Sequence, residues 1–222
     1  MGPGRSTAVR AAGVLAVAVL LAGCDQAEPA LACKIEVDTP ELQADREAAG
    51  IADCRPDGSA ADPDGRDPEG APVADLPDVS LACLGSESRM ALSEVRGPAM
   101  INFWASNCGP CREELPALQE FHETYGSQVT VLGVDYLDTY PGAAIDLARQ
   151  SGVTYPSLAD ACGDLQSTDL VILGLPQFVL VAEDGTVTQV SGGVDSVDDL
   201  VVMVDQHLGI DLAAGTPERT GR

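Results

Sequence analysis

Two cysteines stand three positions apart, in Cys108-Gly109-Pro110-Cys111. A spacing of two intervening residues lets the sulfurs meet, so the pair can cycle between dithiol and disulfide. The alternative chemistry for such a pair is half of a zinc site, but a closed zinc site needs about four Cys or His ligands. No second pair with this spacing follows, and His122 and His207 are isolated. Redox chemistry without a metal or cofactor is therefore the expectation.

The flanking elements sharpen it. The apolar run Ala99 to Ala105 has the length and composition of a buried strand. After Cys111, Leu115, Leu118, Phe121, His122 and Tyr125 recur at helical steps. The pair thus sits where a buried strand turns into a helix. A helix N-terminus offers free N–H groups and the positive end of its dipole, and both favour thiolate over thiol. Cys108 is expected to be the exposed nucleophile, and Cys111, within the first helical turn, the buried resolving partner.

Phe103-Trp104-Ala105-x-x-Cys108-Gly109-Pro110-Cys111-Arg112-x-Glu114-x-Pro116 resembles the active-site signature of the thioredoxin-fold oxidoreductases, and most closely the membrane-tethered TlpA/ResA-like branch. A second motif, Gly174-Leu175-Pro176-Gln177-Phe178, places a proline at the mouth of an apolar run. The resemblance implies a cis-proline packed against the cysteines, with Leu175 offering backbone groups to a bound substrate. Trp104, Gly109 and Pro110 are the other expected substrate contacts, although packing beside the cysteines is the preferred reading of Trp104. It further implies that Glu114 influences the thiols and assists proton transfer; an acid in a helix's first turn is also common on dipole grounds alone. Asn102 stands where thioredoxin itself carries a buried aspartate, a departure shared with the TlpA-like branch.

The remaining elements agree with an α/β, thioredoxin-like fold: a central mixed β-sheet flanked by helices, with an N-terminal strand or hairpin extension. The alternation in Val79 to Leu84 and the stretch Met90 to Leu92 predict two short strands, Gln128 to Asp135 another, and Ser157 to Ala159 a fourth. Pro141 to Gln150 reads as a helix and Asp164 to Ile172 as a weak one. Glu183-Asp184-Gly185 turns a hairpin into Val187 to Val190. Ser196 caps a last helix, Val197 to Leu208, with Gly209 after its end.

Residues 1–23 read as a lipoprotein signal peptide. Arg5 and Arg10 precede a short apolar stretch, and Leu21-Ala22-Gly23-Cys24 resembles a bacterial lipobox whose cysteine becomes the lipidated first residue. Two acyl chains on Cys24 suffice for a stable membrane anchor. Residues 24–71, rich in acids, Pro and Gly, read as a tether. Within it a short helix is expected from Thr39 as cap and Pro40 to Ala49, ended by Gly50. Residues 72–212 form the thioredoxin-like domain and 213–222 a flexible tail. The chain has seven cysteines. Setting aside Cys24 leaves an even number, which suits an oxidising compartment. Cys33 and Cys54 are expected to close the loop of the tether, which by exclusion pairs Cys83 with Cys162, as a structural bond or a second redox couple.

Charge adds an exclusion. The net charge is −23, from 35 acidic and 12 basic residues. Such a surface argues against nucleic acid and against adsorption on anionic headgroups. The expected function is extracytoplasmic thiol–disulfide exchange, reducing because Gly-Pro is thioredoxin's own dipeptide. Its partners would be protein disulfides, with apocytochrome c the family's best-known client, and a membrane electron donor of the CcdA/DsbD type. A disulfide-forming oxidase or isomerase is the alternative. A peroxidase is disfavoured by Ala105, where the related peroxiredoxins place a threonine. A non-catalytic binding lipoprotein is disfavoured by the retained Cys108, Cys111 and Pro176.

Overall fold

The computed structural model describes residues 33–54 and 75–212, together with an isolated Gly2. Apart from Gly2, the expected signal peptide, the expected lipidation site Cys24, the Pro/Gly-rich stretch from Pro56 and the tail from residue 213 lie outside the described residues.

Seven strands form one mixed sheet: β1 (Ser80–Cys83), β2 (Arg89–Ala91), β3 (Ala99–Trp104), β4 (Thr130–Tyr136), β5 (Ser157–Asp160), β6 (Gln177–Val181) and β7 (Val187–Ser191), in the order β2-β1-β5-β4-β3-β6-β7. β3 is central, parallel to β4 on one side and antiparallel to β6 on the other. All six of its residues are buried. Their side chains alternate: Met100 and Trp104 enter one apolar cluster, Ala99, Ile101 and Phe103 the other.

Helices α1 (Pro40–Ala49), α2 (Gly109–Tyr125), α3 (Pro141–Gln150) and α4 (Val197–Leu208) all send apolar residues into the Met100–Trp104 cluster, among them Leu42, Leu118, Ile145 and Leu200. The parallel steps β3–α2–β4 and β4–α3–β5 move across the sheet in one direction, so right-handed crossovers put both helices on the same face. Loops cover the other face through Leu76, Leu92, Val95, Leu165 and Leu170.

Helix ends follow local chemistry. Thr39 accepts a hydrogen bond from the Leu42 amide at 3.3 Å, Pro40 occupies the first turn, and Gly50 at φ 73° terminates α1. Ser196 accepts from the Asp199 amide and Gly209 ends α4 in the left-handed region. The expected helix over 164–172 shrinks to one 3-10 turn, Asp164–Ser167. Thr168 is extended there (φ −109°, ψ 174°), and the chain continues into the buried Leu170.

Residues 33–54 depart from the expectation of a tether. They belong to the same compact unit as the rest of the domain. Val37, Leu42 and Ile51 are buried in the helix-side cluster. Arg46 donates to the Gly85 carbonyl at 3.1 Å and to the Ile51 carbonyl at 3.0 Å. A side chain at Gly85 would begin 2.8 Å from the Leu42 carbonyl oxygen and 2.9 Å from the Arg46 Cβ, at a φ of +70°. Glycine is required there because α1 lies directly on the β1–β2 turn. Val37, Leu42, Ile51 and Arg46 dock this arm together with the bonds of Cys33 and Cys54, and so few apolar side chains do not stand out in an acidic, proline-rich stretch.

The disulfide pairing is corrected as well. Cys33 bonds to Cys162 and Cys54 to Cys83, not Cys33 to Cys54 and Cys83 to Cys162. The reason is sheet order. β1 lies beside β5 (Cys83 opposite Leu158), and the docked arm carries Cys54 to β1 and Cys33 to the loop after β5. In the chain-entropy account these loops, with separations of 129 and 29 residues, limit the unfolded chain by about 5 and about 4 kcal/mol. Cys54 and Cys83 are 7% and 0% exposed, whereas Cys33 and Cys162 are both exposed. Exposure controls access of an attacking thiolate. Stepwise reduction with alkylation and peptide mapping is therefore expected to label Cys33 and Cys162 before Cys54 and Cys83; simultaneous labelling would show that exposure does not govern the order.

Candidate active site

β3 ends at Trp104, and α2 starts five residues later at Gly109. Between them the chain turns tightly, with the Cys108 amide donating to the Ala105 carbonyl at 3.1 Å. Cys108 is the N-cap of α2, and its sulfur lies 3.2 Å from the Cys111 amide nitrogen. One of the free amides of the helix start is thus aimed at this sulfur, where it would stabilise a thiolate. Cys108 and Cys111 are joined as a disulfide with a Cα–Cα distance of 5.3 Å. Cys111 is 0% exposed, Cys108 is partly exposed, and Asn107, Gly109 and Pro110 are exposed around it. Attack from outside can reach Cys108 alone.

Arg112 is exposed, but its guanidinium is not free: Nε and Nη2 donate to the Ser106 carbonyl at 2.9 and 2.6 Å. Its positive end is thereby held against the turn that precedes Cys108.

Glu114 lies in the second turn of α2, because the helix begins at Gly109. The dipole of the first turn therefore does not account for an acid there. Glu114 is 1% exposed, and its Oε1 accepts from the Asn102 side-chain amide at 2.8 Å. Loss of hydration raises its pKa to about 7, outweighing the hydrogen bonds from Asn102 and the Val194 backbone that favour the carboxylate. Asn102 reaches Glu114 because β3 alternation puts it on the helix face with Met100 and Trp104.

The loop after β7 closes over this carboxyl. A side chain at Gly193 would start 3.1 Å from Pro176 Cγ and 3.3 Å from Glu114 Oε2, so the backbone lies directly on both groups. The Leu175–Pro176 peptide is cis. Antiparallel pairing of β6 with β3 (Phe103 opposite Gln177) brings Pro176 to the end of β3 from which the cysteine loop departs. Leu175 is partly exposed and Pro176 buried.

Cys108, Cys111, Glu114 and Pro176 therefore converge at one end of the sheet, with exposed Gly109 and Pro110 beside them. Trp104 is corrected: it is 0% exposed and packed in the helix-side core, beneath the surface where a substrate would lie. It ends a strand paired on both edges, so its side chain has no route outward. Tyr155 also belongs to the setting. It is 0% exposed, and its pKa is raised by burial first and by the charge of Glu114 second. No local pattern marks Tyr155; the Gly192-Gly193 pair after a strand was the available sign of a close backbone approach.

The raised pKa of Glu114 has a consequence for stability. Its folded value of about 7 lies above the ordinary carboxyl value of 4.5. The folded state binds the extra proton between these values, so its contribution to stability falls as pH rises through that window. Glu114→Gln is neutral throughout and keeps an acceptor for Asn102. Its stability relative to the native protein is expected to grow from pH 4.5 to about 7, by about 3 kcal/mol, and then level off. Urea unfolding across this range measures the difference; a flat difference curve would show that Glu114 is not shifted.

Comparison with known proteins agrees with this geometry. Residues 72–190 match the AhpC/TSA family. The thiol-disulfide oxidoreductase ResA of Geobacillus kaustophilus is 30% identical over 136 residues, covering 60% of this chain and 73% of ResA. The thiol:disulfide interchange protein HelX of Rhodobacter capsulatus is 28% identical over 158 residues, 68% of this chain and 85% of HelX. Among solved structures, the dsbF protein of Mycobacterium tuberculosis superposes with a TM-score of 0.52 at 26% identity, covering 59% of this chain and 98% of that one. The chain belongs to the AhpC/TSA family, and within it to the TlpA/ResA-like thiol-disulfide oxidoreductases of thioredoxin-like fold.

Proposed function

We propose that this oxidoreductase is an extracytoplasmic protein-disulfide reductase, anchored through lipidated Cys24, in which Cys108 and Cys111 form the redox couple. The observation that carries the reading is a partly exposed Cys108 at a helix N-terminus, bonded to a wholly buried Cys111, with a carboxyl of pKa about 7 behind them.

In the reducing direction the Cys108 thiolate attacks one sulfur of a substrate disulfide. A Cys108–substrate bond forms, and the other substrate sulfur leaves as a thiolate and takes a proton. The Cys111 thiol then yields its proton to Glu114, attacks Cys108 and expels the second substrate thiolate. Two electrons pass to the substrate, and the protein is left with the Cys108–Cys111 disulfide. A carboxyl with a pKa near neutrality is suited to exchange that proton. Leu175 and Pro176 beside the cysteines, with Gly109 and Pro110, are the proposed contacts of the substrate. A membrane dithiol donor of the CcdA/DsbD type would regenerate the thiols, and apocytochrome c is the proposed client class. The membrane attachment is proposed through Cys24 on the resemblance of Leu21-Ala22-Gly23-Cys24 to a lipobox.

Cys108→Ser is expected to abolish insulin reduction, and Cys111→Ser to accumulate mixed disulfides through Cys108. Equilibrated with glutathione, the couple is expected nearer thioredoxin's potential of about −270 mV than the DsbA value of about −120 mV. A potential above about −180 mV, the isomerase range, would overturn the reducing direction.

The anchor is tested separately. Cys24→Ser is expected to release the protein from the membrane fraction; retention after a salt wash would place the attachment elsewhere.

A further inference from the structure

The turn that carries Cys108 is gripped from two sides. Arg112 holds the Ser106 carbonyl, as described. On the opposite side the Ser106 amide donates to Asp138 Oδ2 at 2.7 Å. Asp138 lies in the loop between β4 and α3 and is 1% exposed. Its other oxygen, Oδ1, accepts from the Tyr140 amide at 2.9 Å. The preceding residue, Leu137, has a φ of 55°, a conformation uncommon for residues other than glycine. The loop thus adopts an unfavourable turn while Asp138 engages the cysteine loop.

Behind Asp138 stands Asp135, at the end of β4 opposite Trp104 and 0% exposed. Neither of its oxygens receives a hydrogen bond from an N–H or O–H donor of the protein. Its pKa is raised by burial and by its charge and hydrogen-bond contacts with Asp138, with a smaller push from Asp160. Two buried carboxylates side by side cannot both carry charge without a counterion. Asp160 is engaged elsewhere, accepting from the Asp164 and Leu165 amides of its own loop.

We propose that Asp138 is the positioning residue of the nucleophile loop, holding Ser106 by its amide while Arg112 holds it by its carbonyl. The inference rests on Cys108 being the reacting thiol. A grip two residues ahead of Cys108 determines how its sulfur meets the amides of the α2 N-terminus. Asp138 acts through Ser106 and touches no reacting atom.

The sign of one shift separates this role from simple electrostatics. A nearby negative charge opposes a thiolate, so neutralising Asp138 would speed alkylation of Cys108 if charge were its whole effect. As a positioning residue, its loss does the reverse. In reduced Asp138→Asn, which can accept only one of the two amides through its single carbonyl oxygen, Cys108 alkylation by iodoacetamide at pH 7 is expected to slow about tenfold, with its pH midpoint moved upward. An unchanged or faster rate in Asp138→Asn would overturn the proposal. Should Asp138→Asn fail to fold, hydrogen exchange in the native protein decides: the Ser106 amide is expected to exchange at least about a hundredfold more slowly than that of exposed Asn107, and equal rates would overturn it. Failure of Cys108 to react preferentially in the native protein would instead defeat the assignment of the nucleophile.

Discussion

The reactive end of this molecule depends on one strand being paired along both edges. β3 has β4 on one side and β6 on the other, and none of its six residues reaches solvent. Its end is therefore a fixed point, from which α2 departs and beside which Pro176 leads into β6. Register matters as much as position. A slip of one residue would turn Asn102 and Trp104 towards the loop-covered face, and Asn102 could no longer reach Glu114. Full burial of side chains such as Met100, Ile101 and Phe103, each favouring the folded state by about 1.5–3 kcal/mol, keeps that register.

The helix-side face of the sheet is not uniformly apolar, and the exceptions are concentrated. Asn102, Gly133 and Ser157 form a row across β3, β4 and β5. The row places two buried polar side chains about a glycine, while Glu114 and Tyr155 approach from outside the sheet. The indole nitrogen of Trp104 and the hydroxyls of Tyr155 and Ser157 have no hydrogen-bond partner within the protein, and the carboxyl of Asp135 accepts from no N–H or O–H donor. Each such group costs free energy that an apolar side chain would not. That they cluster under the cysteine loop, while the opposite face is lined by Ile101, Leu132, Val134 and Val179, fits the general pattern in which local folding rules are broken where chemistry is done.

The elements around the site were legible because their signals are local. The apolar run Ala99–Trp104, the caps Thr39 and Ser196, the terminating Gly50 and Gly209, and the Glu183–Gly185 turn each depend on residues within a few positions. What escaped depends on distant chain segments meeting. Cys33 finds Cys162 only after β5 has been laid beside β1 and the arm has docked. Four similar cysteines contain no record of that order. The docking of α1 depends on Leu42 and on the glycine at position 85, neither remarkable in its own neighbourhood. The roles of Tyr155 and Gly193 arise from a carboxyl brought to them by another element.

Glu114 and the cysteine pair are best treated as one titrating system. A carboxyl kept neutral to about pH 7 by burial gains its charge over the same range in which a thiol at a helix N-terminus loses its proton. Each ionisation opposes the other, so the observable steps belong to the set and not to single residues. This has a consequence for the balance between dithiol and disulfide. Strong oxidants of this fold owe their potential to a heavily stabilised thiolate in the reduced state. Here the α2 N-terminus and the Cys111 amide favour the Cys108 thiolate, while Arg112 spends its guanidinium protons on the Ser106 carbonyl and a buried carboxyl stands behind. The stabilisation is therefore bounded from the protein side, and the same burial that suits Glu114 to the proposed proton exchange would also restrain the acidity of the cysteine thiols.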